Sequence, residues 1–307
     1  MKSDHISKPQ SEQYPQQGSG KPFLVIKIGG RPAASLERLR ELFLDIKDLQ
    51  ETYSPVLVHG GGAEVSQISR TFGLEPTFVH GIRMTTEPEM DVVDMVLAGL
   101  MNTRLLRQAS ITGVQAVGLS GVDGGLWTCE SIDSSGLETK ETGSAKNISQ
   151  ADNSTKFQLS QPVHKNRTGR VLSTNPQVLR YLCAGGYVPV LSSVAQDSQG
   201  FGLNINADDG ALAVAEGLKA FGLIYISDIP GVLKQEQPIR FLTPAMIQEE
   251  IADQVITGGM IPKVQASVTA LDQGVGRVVI GDYTRSGDLL KLVRAEKGTT
   301  IGLKPAE

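Results

Sequence analysis

The chain has 307 residues, of which 40% are hydrophobic and 5% aromatic, and it contains 34 glycines. Its 29 lysines and arginines stand against 33 acidic residues, and the net charge of −4 argues against non-specific nucleic-acid binding, which needs a basic face. Cys129 and Cys183 lie in no CxxC pair, which argues against a disulfide framework and a structural zinc site. Because the sequence contains no apolar run long enough to span a bilayer and no signal-type leader, we predict a cytoplasmic protein that does not enter a membrane.

The first predicted elements follow a polar N-terminal stretch. Residues 1–22 are rich in Gln, Ser, Pro and Gly, so we predict that they are disordered or weakly docked. Residues 23–28 and 55–59 are short, mostly apolar runs, and glycines follow each of them directly. This pattern is typical of buried strands followed by tight turns into helices. Apolar spacing predicts those helices over about 35–49 and 63–72.

The middle of the chain predicts a long helix, a strand and an enlarged hairpin. Thr86 and Glu89 have the spacing of a capping box, and the apolar positions behind them predict a helix over 87–109. A third strand is predicted at 115–119. Residues 129–168 are polar with few apolar groups, so we predict a surface hairpin that carries an insertion.

The second half of the chain continues the alternation of strands and helices. We predict strands at 187–191, 223–227 and 277–281, and helices at 208–219, 244–253 and 260–273. Because the strands are apolar throughout, they indicate a mostly parallel sheet covered on both faces. The polar stretch 195–203 separates two halves, so we predict an N-terminal lobe, 23–194, and a C-terminal lobe, 195–307, on one continuous sheet.

Glycines follow the first two predicted strands at their carboxyl ends, where ligands collect on parallel sheets. Gly29 and Gly30 come after the first strand, and Gly61 and Gly62 after the second. Such glycines serve tight turns, and they also let backbone N–H groups approach an anion closely. No P-loop, G-x-G-x-x-G fingerprint or nucleophile elbow is present, and the four histidines lack metal-like spacing. We expect His59 to be a structural hydrogen-bonding residue.

Two lysines occupy positions that call for an anionic partner. Lys27 lies inside an apolar run, where a lysine is costly unless it is paired or snorkels to an edge. Lys263 lies near a predicted helix start, where its charge opposes the helix dipole, although a solvated lysine is the plainer interpretation. Asn204 and Asn206 alternate on an extended segment and would offer two amides to one polar ligand, and one residue of this segment would also cap the helix that follows.

Seven short strings, taken in order, resemble the amino acid kinase family. They are VIKIGG at 25–30, VHGGG at 58–62, GIRMT at 81–85, AVGLSG at 116–121, NINAD at 204–208, SDIPGV at 227–232 and GGMIPK at 258–263. Within that family the strings are most similar to members that phosphorylate N-acetyl-L-glutamate.

The resemblance implies a three-layer αβα sandwich of the carbamate kinase-like type, with an open, mostly parallel sheet. It implies an N-terminal lobe for the acyl amino acid, a C-terminal lobe for ATP, and Mg²⁺ bound through the nucleotide phosphates. The implied reaction transfers the γ-phosphoryl group to the side-chain carboxylate of N-acetyl-L-glutamate, in arginine biosynthesis. A homodimer through the helix at 87–109 is also implied.

The resemblance also implies roles for individual residues. Lys27 and Lys263 would stabilise the transferring phosphoryl group, and Asp208 would organise them. The implied substrate-binding residues are Gly61, Gly62, Arg83, Asn204 and Asn206. The implied nucleotide-binding residues are Gly29, Gly30, Asp228, Val255, Ile256 and Thr257.

Two alternatives to this function stay open at the level of sequence. Ala63 and Glu64, after the second glycine cluster, also occur in related kinases of carrier-linked glutamate or aminoadipate. A non-catalytic amino-acid-sensing domain of the same fold is the second alternative, and the presence of Lys27, Asp208 and Lys263 speaks against it.

Overall fold

The computed structural model describes residues 20–29, 35–79, 82–132 and 166–304. The predictions for Gly30, for most of the N-terminal stretch and for most of the polar insertion lie outside these residues.

Strands and helices alternate along much of the described chain. The strands are β1 Phe23–Ile28, β2 Ser54–His59, β3 Thr77–Val79, β4 Ile82–Met84, β5 Ala116–Leu119, β6 Trp127–Ser131, β7 Thr168–Thr174, β8 Val188–Ser192, β9 Val194–Gln196, β10 Gly202–Ile205, β11 Gly222–Ser227, β12 Leu233–Lys234, β13 Gln237–Pro238, β14 Phe241–Leu242, β15 Val278–Asp282 and β16 Thr299–Ile301. The α-helices are α1 Leu36–Leu49, α2 Gly62–Thr71, α3 Glu87–Val93, α4 Asn102–Thr112, α5 Gln177–Ala184, α6 Ala207–Leu218, α7 Pro244–Ala252, α8 Met260–Asp272 and α9 Asp288–Val293.

The centre of the fold is a sheet with the strand order β14-β16-β15-β11-β1-β2-β8-β5. Neighbouring strands run parallel, except that β15 and β16 are antiparallel. Alternate side chains of β1 enter different cores: Val25 packs on one face of the sheet, and Leu24 and Ile26 pack on the other. Helices α1–α4 and α9 cover one face, and α5–α8 cover the other. The predicted αβα sandwich with a mostly parallel sheet is therefore confirmed.

A smaller sheet, β6-β7-β10-β9, contains the base of the predicted hairpin. Strands β6 and β7 pair antiparallel on either side of the inserted residues. The structure differs from the sequence expectation at 195–203, because β9 and β10 form an antiparallel hairpin there. The Asp197 carboxylate closes its turn by accepting the N–H groups of Gln199 and Phe201. The proposed lobe boundary thus falls inside a hairpin.

The predicted long helix is present and contains a π-helical segment. Thr86 and Glu89 form the predicted capping box at the start of α3. Residues Asp94–Met101 are π-helical and join α3 to α4. This segment packs on the second glycine turn, where a Cβ on Gly61 would lie 2.8 Å from Leu97 Cδ2. The helix over 87–109 therefore also shapes the end of β2.

Within the described part of the chain, no helix is both long and apolar enough to cross a membrane.

Candidate active site

Three charged side chains from distant parts of the chain meet at the carboxyl edge of the central sheet. Lys27 Nζ, from β1, lies 2.7 Å from Asp208 Oδ1, at the start of α6. Lys263 Nζ, from α8, lies 3.1 Å from the other oxygen, Asp208 Oδ2. Burial disfavours the charged carboxylate, but the two lysines hold the pKa of Asp208 below its usual value. The anionic partner that each lysine needed is therefore the same ionised carboxylate.

A cavity of about 300 Å³ lies beside this ion triad. Its walls include the predicted site residues Lys27, Gly29, Gly61, Gly62, Arg83, Asn204 and Asn206. Its other lining residues are Gly60, Val65, Phe78, Ile82, Leu97, Thr168, Ser193, Ile205 and Ala207. The structure thus brings most of the predicted substrate-binding residues to one place.

The first glycine turn fits closely against the triad. A Cβ on Gly29 would lie 2.5 Å from Lys27 Nζ, so any side chain there would displace the lysine ammonium. Glycine at position 29 therefore leaves the Lys27 ammonium room to stay in its contact with Asp208.

His59 is fully buried and contacts the second glycine turn, residues 60–62. Its Nδ1 lies 2.9 Å from the Gly60 carbonyl oxygen, and its Nε2 lies 3.1 Å from Asn102 Nδ2. Burial lowers the pKa of His59 to about 4, so the ring is neutral at neutral pH. A neutral ring that donates from Nδ1 and accepts at Nε2 satisfies both contacts. His59 thus has the structural role predicted for it.

Arg83 is a buried cation at the far side of the cavity. Its Nη2 donates to the Gly62 carbonyl oxygen at 2.8 Å and also contacts Ser66 Oγ. Its Nη1 lies 3.6 Å from Glu89 Oε1 and has no hydrogen-bond partner among the described residues. Burial lowers the pKa of Arg83, and Glu89 opposes that effect. The guanidinium therefore keeps donor capacity for an anion.

A chain of hydroxyl groups connects Arg83 with Asn204. Asn204 Nδ2 donates to Thr85 Oγ1 at 2.8 Å. The Thr85 N–H donates to Thr168 Oγ1 at 2.9 Å, and that hydroxyl donates to the Arg83 carbonyl oxygen at 2.7 Å. Asn206 caps α6 by accepting the Asp208 N–H at 2.9 Å while it also lines the cavity. The helix cap expected in this segment is therefore Asn206, and both asparagines line one cavity. Their binding of one ligand stays a prediction.

Thr85, Thr168 and Ser66 contact predicted site residues, although the sequence predicted no role for them. Thr85 could have been found, because it lies two residues after Arg83 in the GIRMT string. Thr168 follows the polar insertion and reaches the site only through the pairing of β7 with β10, which no local pattern indicates.

Of the predicted nucleotide-binding residues, Gly29 lines this cavity and Gly30 lies outside the described residues. Asp228 and residues 255–257 lie outside the walls of this cavity. Asp228 follows β11 and lines a second cavity of about 470 Å³ together with Ser227 and residues 282–284. The Val255 and Ile256 N–H groups both donate to the Glu250 carbonyl oxygen. Ile256 is 1% exposed and its side chain belongs to the hydrophobic core, so that side chain is not available to a nucleotide.

Within the described residues, no group of three or more His, Cys, Asp and Glu side chains could hold a metal ion.

The model of the amino acid kinase family matches residues 22–282. The chain belongs to this family. An acetylglutamate kinase of Geobacillus stearothermophilus is 37% identical over 265 residues, which cover 84% of this chain and 88% of the relative. A solved structure from Streptococcus mutans covers 92% of this chain and 99% of its own, with a TM-score of 0.69 and 26% identity. The structure of the carbamate kinase of Giardia lamblia, bound to AMP-PNP, has a TM-score of 0.64 at 14% identity. The match covers 92% of this chain and 99% of that kinase, and it supports the fold alone.

The geometry of Arg83 generates a prediction about carboxylate binding. We expect Arg83→Lys to raise the Kd for N-acetyl-L-glutamate by roughly 10–100-fold, because a planar guanidinium held in place by the Gly62 carbonyl oxygen and Ser66 becomes one flexible ammonium. Isothermal titration calorimetry measures the change, and ATP binding should change far less. Arg70→Lys, an exposed arginine on the neighbouring helix α2, is the matched control. An unchanged Kd in the Arg83 variant would remove this side chain from the site.

Proposed function

We propose that the protein transfers the γ-phosphoryl group of ATP to the side-chain carboxylate of N-acetyl-L-glutamate, as a step of arginine biosynthesis. The observation that carries the proposal is the pairing of Lys27 and Lys263 with one carboxylate beside a cavity that contains Arg83. The relative from Geobacillus stearothermophilus, named acetylglutamate kinase, supports the choice of substrate.

The reaction needs relief of charge repulsion more than it needs a base. A carboxylate is already ionised at neutral pH and can attack phosphorus without losing a proton. The obstacle is the approach of two anions, which positioned cations remove. Lys27 and Lys263 would stabilise the negative charge that spreads over the transferring group. Asp208 would hold both ammonium groups in place before the substrates bind.

The cavity suits a small acyl amino acid. Arg83 would bind the α-carboxylate, and the amides of Asn204 and Asn206 would bind the polar part of the acylated amino group. Val65 and Leu97 would contact the apolar atoms of the substrate. Backbone N–H groups at Gly61 and Gly62 would face the carboxylate that accepts the phosphoryl group.

The nucleotide is proposed to bind from the other side of the triad. Gly29 and Gly30 would donate N–H groups to its phosphates, and Asp228 and the backbone at 255–257 would contact the rest of the nucleotide. Mg²⁺, held through the phosphates, would neutralise part of their charge when bound. In this assignment the lobe 23–194 holds most of the acyl substrate and the lobe 195–307 most of ATP. Asn204 and Asn206 would reach the acyl substrate from the second lobe, and Gly29 and Gly30 would reach the ATP phosphates from the first.

We further propose that the protein is cytoplasmic and forms a homodimer through the long helix at 87–109. Met95 and Leu100 leave 37% and 44% of their surfaces exposed on this helix, which a dimer interface would cover. Light scattering at micromolar concentration should give twice the mass of one chain, and a monomer would contradict the dimer.

ATP-dependent hydroxamate formation tests the proposed reaction directly. We expect turnover with N-acetyl-L-glutamate to exceed turnover with glutamate or aminoadipate. Preference for aminoadipate would favour the related kinases of carrier-linked substrates. ATP binding without turnover of any acceptor would favour a sensing domain.

The two lysines give the sharpest prediction for catalysis. Lys27→Ala and Lys263→Ala should each lower kcat by about 10²–10³, the effect of removing one preorganised charge-stabilising donor. The KM for N-acetyl-L-glutamate should change little, because the interaction strengthens only as the group transfers. Steady-state kinetics measures both constants, and Lys234→Ala, which removes a partly exposed lysine paired with Glu250, is the control. Near-normal kcat in either site variant would overturn the role of that lysine.

A further inference from the structure

Tyr225 lies beneath the ion triad and contacts two of its members. It is 2% exposed and stands next to Lys27 in the parallel register of β11 and β1. Its hydroxyl lies 3.2 Å from the Asp208 carbonyl oxygen, to which it donates a hydrogen bond. Its ring centroid lies 5.3 Å from Lys263 Nζ.

We propose that Tyr225 is a positioning residue for phosphoryl transfer, whose ring holds the Lys263 ammonium and whose hydroxyl anchors the first turn of α6 at Asp208. The inference rests on the proposed kinase function and adds to it a residue that acts through the triad. Tyr225 does not line the cavity beside the triad, and the proposal gives it no part in proton transfer.

The ring contact is suited to holding a lysine in one place. The face of an aromatic ring attracts a cation within about 6 Å of its centroid, and the attraction grows when the cation is partly removed from water. The Lys263 side chain is 19% exposed, and its ammonium contacts both this ring and the Asp208 carboxylate. Two attractive contacts therefore restrict the ammonium more than the ion pair alone would.

The hydroxyl acts only as a donor. Burial, reinforced by the nearby carboxylates of Asp208, Asp209 and Glu216, raises the pKa of Tyr225 well above its usual value. The hydroxyl therefore stays protonated at every working pH and can donate continuously to the Asp208 carbonyl oxygen. This contact fixes the backbone from which the triad carboxylate projects.

A purely structural role for Tyr225 makes different predictions. The residue belongs to the core cluster that also contains Ile280, its neighbour in register on β15. If Tyr225 only filled space, a large apolar residue would replace it, and any loss of activity would follow the loss of stability. If its ring positions Lys263, loss of the ring would lower kcat in molecules that are still folded.

The experiment compares Tyr225→Phe with Tyr225→Leu, and Ile280→Ala serves as the matched core control. We expect Tyr225→Phe to keep kcat within about threefold, since the ring remains, and Tyr225→Leu to lower kcat by about tenfold. The KM values for ATP and N-acetyl-L-glutamate should stay within about twofold of wild type. Ile280→Ala should lower the Tm with no comparable change in kcat. Wild-type kcat in folded Tyr225→Leu would overturn the proposal.

A series of fluorinated phenylalanines at position 225 provides a second test, which does not require Tyr225→Leu to fold stably. Successive fluorines weaken the attraction of the ring for a cation while they nearly preserve its shape. We expect kcat to fall stepwise along the series at a nearly constant Tm. In the protein without substrates, the NMR signals of the Lys263 ε-methylene group should show a ring-current shift that is absent from Tyr225→Leu. A kcat that does not change with fluorination, or Lys263 ε-methylene signals without a ring-current shift, would overturn the proposal. Inactivity of the wild-type protein would instead refute the kinase function on which the proposal rests.

Discussion

The proposed site depends on one carboxylate that two lysines share. Lys27 comes from the first strand and Lys263 from a helix more than two hundred residues later, and each lies within 3.1 Å of an oxygen of Asp208. An unpaired lysine at either position would carry a desolvation penalty, and Asp208 removes it for both. The same carboxylate holds two cations side by side before any substrate arrives. Packing of α6 and α8 on one face of the central sheet is therefore coupled to the geometry that the proposed phosphoryl transfer needs.

The surrounding elements keep that geometry within narrow limits. The parallel arrangement brings the ends of β1 and β2 to one edge, so both glycine turns open on the same cavity. The π-helical segment packs on Gly61, and His59 forms a hydrogen bond with the neighbouring Gly60 carbonyl oxygen. On the substrate side, the hydroxyl chain from Asn204 to Arg83 ties two strands of different sheets together. Polar contacts thus connect the proposed acyl side of the cavity with β10, which leads into the helix that carries Asp208.

The sequence predicted those parts of the site in which a charged residue stands where an unpaired charge is energetically unfavourable. Lys27 interrupts an apolar strand and therefore indicated an anionic partner, whereas a solvated lysine was the plainer interpretation of Lys263. The family resemblance implied Asp208 as the residue that organises both lysines, and in the structure both ammonium groups pair with its carboxylate. The sheet class followed from apolar strands that do not alternate. Tyr225 gave no such signal, because a tyrosine in a strand is ordinary and its contacts arise from register. The hairpin at 195–203 was hidden by its polar composition, since its strands are short and pair through backbone groups.

A double-mutant comparison tests most directly whether Asp208 acts through the lysines. The kcat of Asp208→Asn is measured in the wild-type background and again in the Lys27→Ala background. If Asp208 only organises the two cations, the substitution should cost about 10² in the wild type and less than about tenfold once Lys27 is gone, because interacting residues are not additive. An equal loss in both backgrounds would show that Asp208 contributes independently of Lys27, and would contradict the account.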